Sequence, residues 1–181
     1  MSHKEDWLTK QFDFDFPVSR YSELLDFLRA TPERLASLVD GLPKETLVHR
    51  IDNSWSIQEN AGHFLTVESL FIGRLDDYNH NAEVLRPARF EDNETDKANY
   101  NEKEISWILD AFCEIRAGYI SQLNALRPEE FGKTSLHPRL NKPMRVCDML
   151  LFQAEHDQHH LTRIEEIKAE IMELFTPPAF S

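Results

Sequence analysis

Three of the chain's eight histidines fall within five positions, in Glu155-His156-Asp157-Gln158-His159-His160. A neutral imidazole is a common ligand for divalent transition metals, so two that share a helical face need one partner from elsewhere to hold a cation. Residues four apart on an α-helix stand about 40° from each other, and His156 and His160 have that spacing. Centred on His160, the same face gathers Val146, Met149, Gln153, Ile164, Ile167 and Ile171, which makes it the stripe that packs inward. His159 falls about 100° from His160, on the edge with Phe152 and Arg163. It is expected to support a ligand or relay a proton rather than bind the metal.

His63, inside the apolar helical stretch from Trp55 to Tyr78, is the expected third ligand. Its face gathers Ser56, Glu59, Val67, Leu70, Arg74 and Asp77, a mixture of apolar and polar groups. Glu59, one turn before His63, either orients its imidazole, reaches the metal, or stays a capping or exposed carboxylate; Gln153 stands in the same relation to His156. Any one of these histidines alone reads as a core imidazole satisfied by a hydrogen bond. Three on converging buried faces read differently, because crowded neutral rings each cost desolvation and one divalent cation satisfies them together. His137, in a loop beside Pro138, reads as a turn histidine, and His3, His49 and His80 as surface residues.

The elements that must position these side chains are helices. Five glycines in 181 residues leave little for glycine-dependent turns, and Leu, Glu, Ala, Arg and Lys are abundant, so an all-α fold is favoured. The length suits one well-buried core: residues 1–16 read as an N-terminal arm with spaced aromatics (Trp7, Phe12, Phe14, Phe16), and residues 17–181 as a single helical-bundle domain. From Tyr21 apolar residues recur at helical spacing to Leu42, interrupted at Thr31-Pro32, where either a fresh helix starts or one longer helix kinks. Asn53 or Ser54 can cap the second helix, with Ser56-Ile57-Gln58-Glu59 as an additional capping box, and this helix runs to about Tyr78. The polar connection from Asn79 to Asn101, with Pro87 and the acidic run Glu91-Asp92-Asn93-Glu94, is long for adjacent antiparallel helices. It is expected to cross the bundle and let the third helix, Ile105 to Leu126, run parallel to the second. The third helix reads as apolar and without chemistry, Gly132 to Pro143 as irregular, and the fourth helix as starting near Arg145 and ending before Pro177-Pro178.

A net charge of −12 excludes nonspecific nucleic-acid binding, which needs clustered Lys and Arg, and disfavours an anionic membrane surface. Cys113 and Cys147 are too few and too far apart for a disulfide framework or a cysteine zinc site. Met1 to Phe16 lacks a continuous apolar core, so it reads as neither signal peptide nor membrane span, and a cytoplasmic setting is expected.

Trp55-Ser56-Ile57-Gln58-Glu59, His63-Phe64, and Ala154-Glu155-His156-Asp157-Gln158-His159-His160-Leu161 with Ile164 resemble the DinB-like (DinB/YfiT) family of metalloenzymes. His137-Pro138-Arg139-Leu140 and Lys142-Pro143-Met144 are similar to one branch of it, and the resemblance spans roughly residues 20–170. It implies a four-helix bundle in up-down-down-up order, with a divalent metal, zinc or nickel, held by His63, His156 and His160. Three imidazoles leave coordination positions open, which is the arrangement of a catalytic rather than a structural site. In characterised relatives the metal supports transfer or isomerisation with a low-molecular-weight thiol. The resemblance therefore implies an S-transferase-like enzyme in which a metal-stabilised thiolate attacks an electrophile. A hydrolase using a metal-bound hydroxide, with Glu59 or His159 relaying a proton, is the second expectation. A nonenzymatic metal-stabilised bundle that binds a small molecule or a partner is the third. The substrate is expected to be a small molecule, and the family admits a homodimer through bundle faces.

Overall fold

The computed structural model describes residue 7 and residues 9–52, 54–88 and 94–175. His3, the cap suggested at Asn53, the acidic residues Glu91, Asp92 and Asn93, and the Pro177-Pro178 stop lie outside them. Among the described residues the α-helices with defined bounds are α1 (Tyr21–Val39), α2 (Lys44–Val48), α3 (Ile57–Asn79), α4 (Glu94–Lys97), α5 (Ile105–Asn124) and α6 (Val146–Phe175). Two short strands, β1 (Thr134–His137) and β2 (Lys142–Arg145), pair antiparallel. Helix α1 packs on α5 and α6, and α3 packs on the same two.

The 132–143 stretch is thus not irregular, and the fold is mostly helical rather than all-α. The hairpin turns where Asn141 takes a positive φ of 49° and its N–H donates to the His137 carbonyl at 2.9 Å. Pro143 sits opposite Leu136 and has no N–H to give. The ladder loses nothing there, because the Leu136 N–H donates to the Glu83 carbonyl and its own carbonyl accepts from the Leu85 N–H. His137 is correspondingly not a turn residue: it closes β1 and is buried. Of the other peripheral histidines, His80 is exposed and His49 is partly buried.

Pro32 lies inside one continuous α1, which decides between the two readings of Thr31-Pro32. A proline within a helix leaves the carbonyl four residues back without its donor, here that of Leu28. The guanidinium of Arg116, from α5, supplies the missing bond through Nη1 at 2.9 Å. Arg116 also donates from Nε and Nη2 to Glu68 of α3 (2.7 and 2.8 Å) and from Nη1 to Asp157 of α6 (2.8 Å), all three side chains being almost completely buried. The third helix therefore does carry chemistry on its inner face.

These polar groups divide the apolar core in two. One cluster gathers Leu28, Phe71, Tyr119, Phe152 and Ala154, with the arm residues Trp7, Phe12, Phe14 and Phe16. The other gathers Leu35, Phe64, Phe112, Leu161 and Ile164. Between them each long helix contributes polar residues to one layer: Thr31 from α1, Glu68 from α3, Arg116 from α5, and His156, Asp157 and His160 from α6. No helix among the described residues is long and apolar enough to cross a membrane.

Candidate metal centre

Helix α3 starts where its own residues can satisfy the first turn. Ser56 is the N-cap, its Oγ accepting from the Glu59 N–H at 3.1 Å while the Glu59 carboxylate accepts from the Ser56 N–H at 2.9 Å. This fixes the turn from which Asn60 and His63 project. On α6 every residue of the face drawn through His160 is buried: Val146, Met149, Gln153, His156, Ile164, Ile167 and Ile171.

The two helices bring His63, His156 and His160 together, with ligand atoms of all three within 4.8 Å of one another. The Nε2 atoms of His63 and His156 are 3.3 Å apart. Two ligands on a tetrahedral zinc at about 2.0–2.1 Å stand about 3.3 Å apart, so this pair already has the separation a bound ion requires. His160 lies against both, its ring centroid 4.5 Å from that of His63 and 4.6 Å from that of His156.

Each Nδ1 faces away from the centre. Asn60 spends its side-chain N–H donors on the carbonyls of Trp55 and Ser56 (3.3 and 2.9 Å), so its Oδ1 is left to accept from His160 Nδ1 at 3.0 Å. That bond puts the proton on Nδ1 and the lone pair on Nε2, the tautomer a metal ligand needs. His63 Nδ1 meets the Thr95 hydroxyl at 2.8 Å. His156 Nδ1 has no hydrogen-bond partner among the described residues, and neither has Asp157 Oδ1, which stands 4.0 Å from it. Burial holds both His156 and His160 well below the usual histidine range; His160, His159 and Arg116 push His156 further down, and His63 and His159 do the same to His160. Three converging imidazoles, two of them buried and held neutral, are a donor set that fits a divalent cation.

The walls are aromatic. Trp7 lies edge-on to His156 with centroids 5.1 Å apart, Trp55 is 4.8 Å from His63, and Phe71 and Phe64 close the sides next to His156 and His160. Trp55 is pinned by its Nε1 donating to Asp96 at 2.8 Å. The same crossover is fastened by the Gln58 Nε2 donating to the carbonyls of Tyr100 and Lys103, and by Tyr100 packing where a side chain on Gly62 would stand. These contacts hold Thr95 over His63.

One sequence expectation changes here, at Gln153, while Glu59 takes the capping alternative and His159 stays off the converging group as expected. Glu59 neither orients His63 nor turns toward the centre: its carboxylate is taken by the Ser56 cap and by Arg50, whose Nε donates to it at 2.8 Å. Arg50 holds this carboxyl below its usual value against the opposing effect of burial. Gln153 does not orient His156 but donates to Glu68 at 3.3 Å. His159 is outside the converging group, half-buried beside Trp7 and His160 with centroids 5.7 and 5.1 Å away. The roles given to Glu59 fall instead to Thr95 and Asn60. Asn60 could have been found by asking which polar residues of α3 face α6; nothing in the sequence marks Thr95.

A mostly helical bundle with three converging imidazoles, two of them buried, is the class this fold and site define. A family model described as the DinB superfamily matches residues 28–164, and the chain belongs to that superfamily. Among solved structures it is similar to YfiT from Bacillus subtilis, described as a probable metal-dependent hydrolase with an unusual four-helix bundle topology. That likeness has a TM-score of 0.78 at 16% identity and covers 90% of this chain and 93% of that one. A protein from Streptococcus pneumoniae is similar at a TM-score of 0.65 and 12% identity, covering 96% of this chain and 99% of the other. No curated relative matches the sequence.

Proposed function

We propose that this chain is a metal-dependent enzyme acting on a small molecule, with His63, His156 and His160 holding one divalent cation, zinc or nickel. The observation that carries it is the convergence of the three imidazoles, two of them with Nδ1 already engaged by Asn60 and Thr95. A cation bound there supplies a Lewis acid that stabilises the anionic form of a coordinated nucleophile and leaves room for it. The chain's own residues do the rest. Asn60 and Thr95 fix the two rings, Trp7 and Trp55 exclude water from the rim, and His159 stands close enough to take part in a proton relay. We also infer the up-down-down-up order, since α1 and α6 pass from the first apolar cluster to the second along the chain, and α3 and α5 from the second to the first.

Thiol-dependent transfer is the reading we put first. It needs no protein carboxylate as base, and the carboxylate that hydrolysis would have used, Glu59, is bound to Arg50. Hydrolysis is the second reading, favoured by the likeness to the probable hydrolase YfiT and by the position of His159. The two separate when metal-loaded protein is incubated with a chlorinated aromatic electrophile or an activated ester, with and without a cellular thiol. Transfer predicts turnover only with thiol and metal together; ester cleavage that ignores thiol moves the assignment to hydrolysis. No rate above that of metal-free protein in either assay sinks both and leaves a binding bundle.

A further inference from the structure

Away from the three histidines, two buried side chains stand out among the described residues: a guanidinium without a carboxylate partner and an imidazole N–H without an acceptor. Arg74 of α3 is 2% exposed, and its guanidinium meets only the Arg86 carbonyl (3.1 Å from Nε) and the Met149 sulfur (3.8 Å from Nη1). No carboxylate bonds to it among the described residues. Removing a guanidinium from water without an anionic partner is costly, and burial accordingly pulls Arg74 down to about 10. His137, 1% exposed, accepts the Leu140 N–H on Nδ1 at 3.1 Å, which leaves its proton on Nε2. That buried N–H has no acceptor among the described residues. Burial together with the charges of Arg74 and Arg139 pushes His137 down to about 3, so the ring is neutral and Nε2 remains a donor.

Arg139 links this group to the surface. Its charge acts on both Arg74 and His137, its guanidinium stands 5.7 Å from the centre of the Phe152 ring, and it lines a cleft of about 250 Å³ between the N-terminal arm and the hairpin turn. Lys10, paired with Glu155 at 2.5 Å, and Lys142 also line that cleft, with Phe12, Phe14 and Leu140, and none of its lining residues is acidic among the described residues. In a chain of net charge −12 such a collection is out of character.

We infer that Arg74, His137 and Arg139 form a binding site for a small oxyanion, a carboxylate or phosphate group, reached through the cleft between arm and hairpin. Two guanidinium groups and an imidazole N–H are donors of the kind that hold such a group, and the anion supplies the acceptor that His137 Nε2 lacks among the described residues. Phe152, whose ring lies against His137 at 5.4 Å, is one helical turn before His156. The anion would therefore anchor a small molecule on the Phe152 side of the metal centre, and in naming that molecule the substrate this inference rests on the proposed function.

Calorimetric titration of the full chain with inorganic phosphate and, separately, with malonate tests it, and the tighter of the two names the group. One saturable site per chain is expected, weakened at least tenfold in Arg139→Gln and in Arg74→Met and unchanged in the exposed Arg29→Gln. In anion-free buffer Arg74→Met should melt at or above the wild-type temperature, and the anion should raise the melting temperature of the wild type and of Arg29→Gln more than that of Arg74→Met or Arg139→Gln. Metal content read on the same samples should stay at the wild-type level, which keeps failure of this site distinct from failure of the centre. Absence of saturable binding in the wild type, or equal binding in wild type and Arg139→Gln, overturns the proposal. A lower melting temperature for Arg74→Met without anion makes that residue structural and removes it from the site. If Arg74→Met does not fold, Arg139→Gln alone decides.

Discussion

Asn60 acts through lack of freedom. Its amide N–H groups are committed to two backbone carbonyls, so Oδ1 can only accept, and His160 must offer its lone pair inward. Asn60→Leu removes the acceptor while keeping volume, and should weaken metal affinity about 10–100-fold in competition with a chelator; unchanged affinity would mean His160 needs no such orientation. Glu59 makes the opposite case. Glu59→Ala should cost about 0.5–2 kcal/mol in chemical denaturation through the lost capping box, with metal content unaltered; loss of metal would return Glu59 to the site. His137 carries a pH signature. Folded, it protonates only near 3 because burial and two guanidinium groups oppose it, whereas unfolded it protonates at 6.5. The unfolded chain thus binds more protons between those values, and stability falls as the pH drops from 6.5 toward 3. Melting temperatures of His137→Gln should fall less steeply over that range than those of the wild type, and parallel curves would contradict the assignment. At this scale the shared face of His156 and His160 could be read from spacing, since an i,i+4 pair has only one face, and the structure brings His63 of α3 to it. The partner of His63 could not, because Thr95 reaches it from 32 positions away through a crossover with no periodicity.

The elements show why helices were legible and their junctions were not. Apolar periodicity located α1, α3, α5 and α6, but it also made α5 look purely apolar, because a buried Arg116 is indistinguishable in sequence from one that reaches solvent. Its partners come from three other helices. Arg116 is at once the donor that Pro32 denies to Leu28 and the counter-charge for Glu68 and Asp157. Arg116→Ala should therefore destabilise the fold by about 3–5 kcal/mol in denaturant titration, as expected when one member of a buried charge cluster is removed. A loss below about 1 kcal/mol would place the group in solvent. The hairpin escaped the sequence because its pairing depends on residues 83–85 satisfying Leu136 opposite Pro143. The crossover is equally tertiary. A methyl on Gly62 would stand 2.2 Å from the Tyr100 ring, so Gly62→Ala should cost about 1–3 kcal/mol. It should also weaken metal binding, because Tyr100 and Thr95 move together. A stable variant with wild-type affinity would uncouple the crossover from the centre.

Across the whole molecule the two apolar clusters meet at a single polar layer, and the histidines are the part of it that faces α3 rather than α5. The buried charges of Glu68, Asp157 and Arg116 sum to one negative unit if both acids ionise, and burial raises the pKa of each acid. A divalent cation beside His156 would favour their ionised forms, so centre and charge cluster are neighbours in electrostatics as well as in sequence. Wall, layer and crossover all converge on the three imidazoles, proposed to hold one ion per chain. Elemental analysis of the full chain purified without added metal, wild type beside His160→Ala, tests this most directly. The account predicts about one equivalent of a divalent transition metal, present or taken up on exposure to zinc or nickel, in the wild type and under about a tenth of that in the variant. A wild type that takes up none, or a His160→Ala protein that keeps a full equivalent, would contradict it.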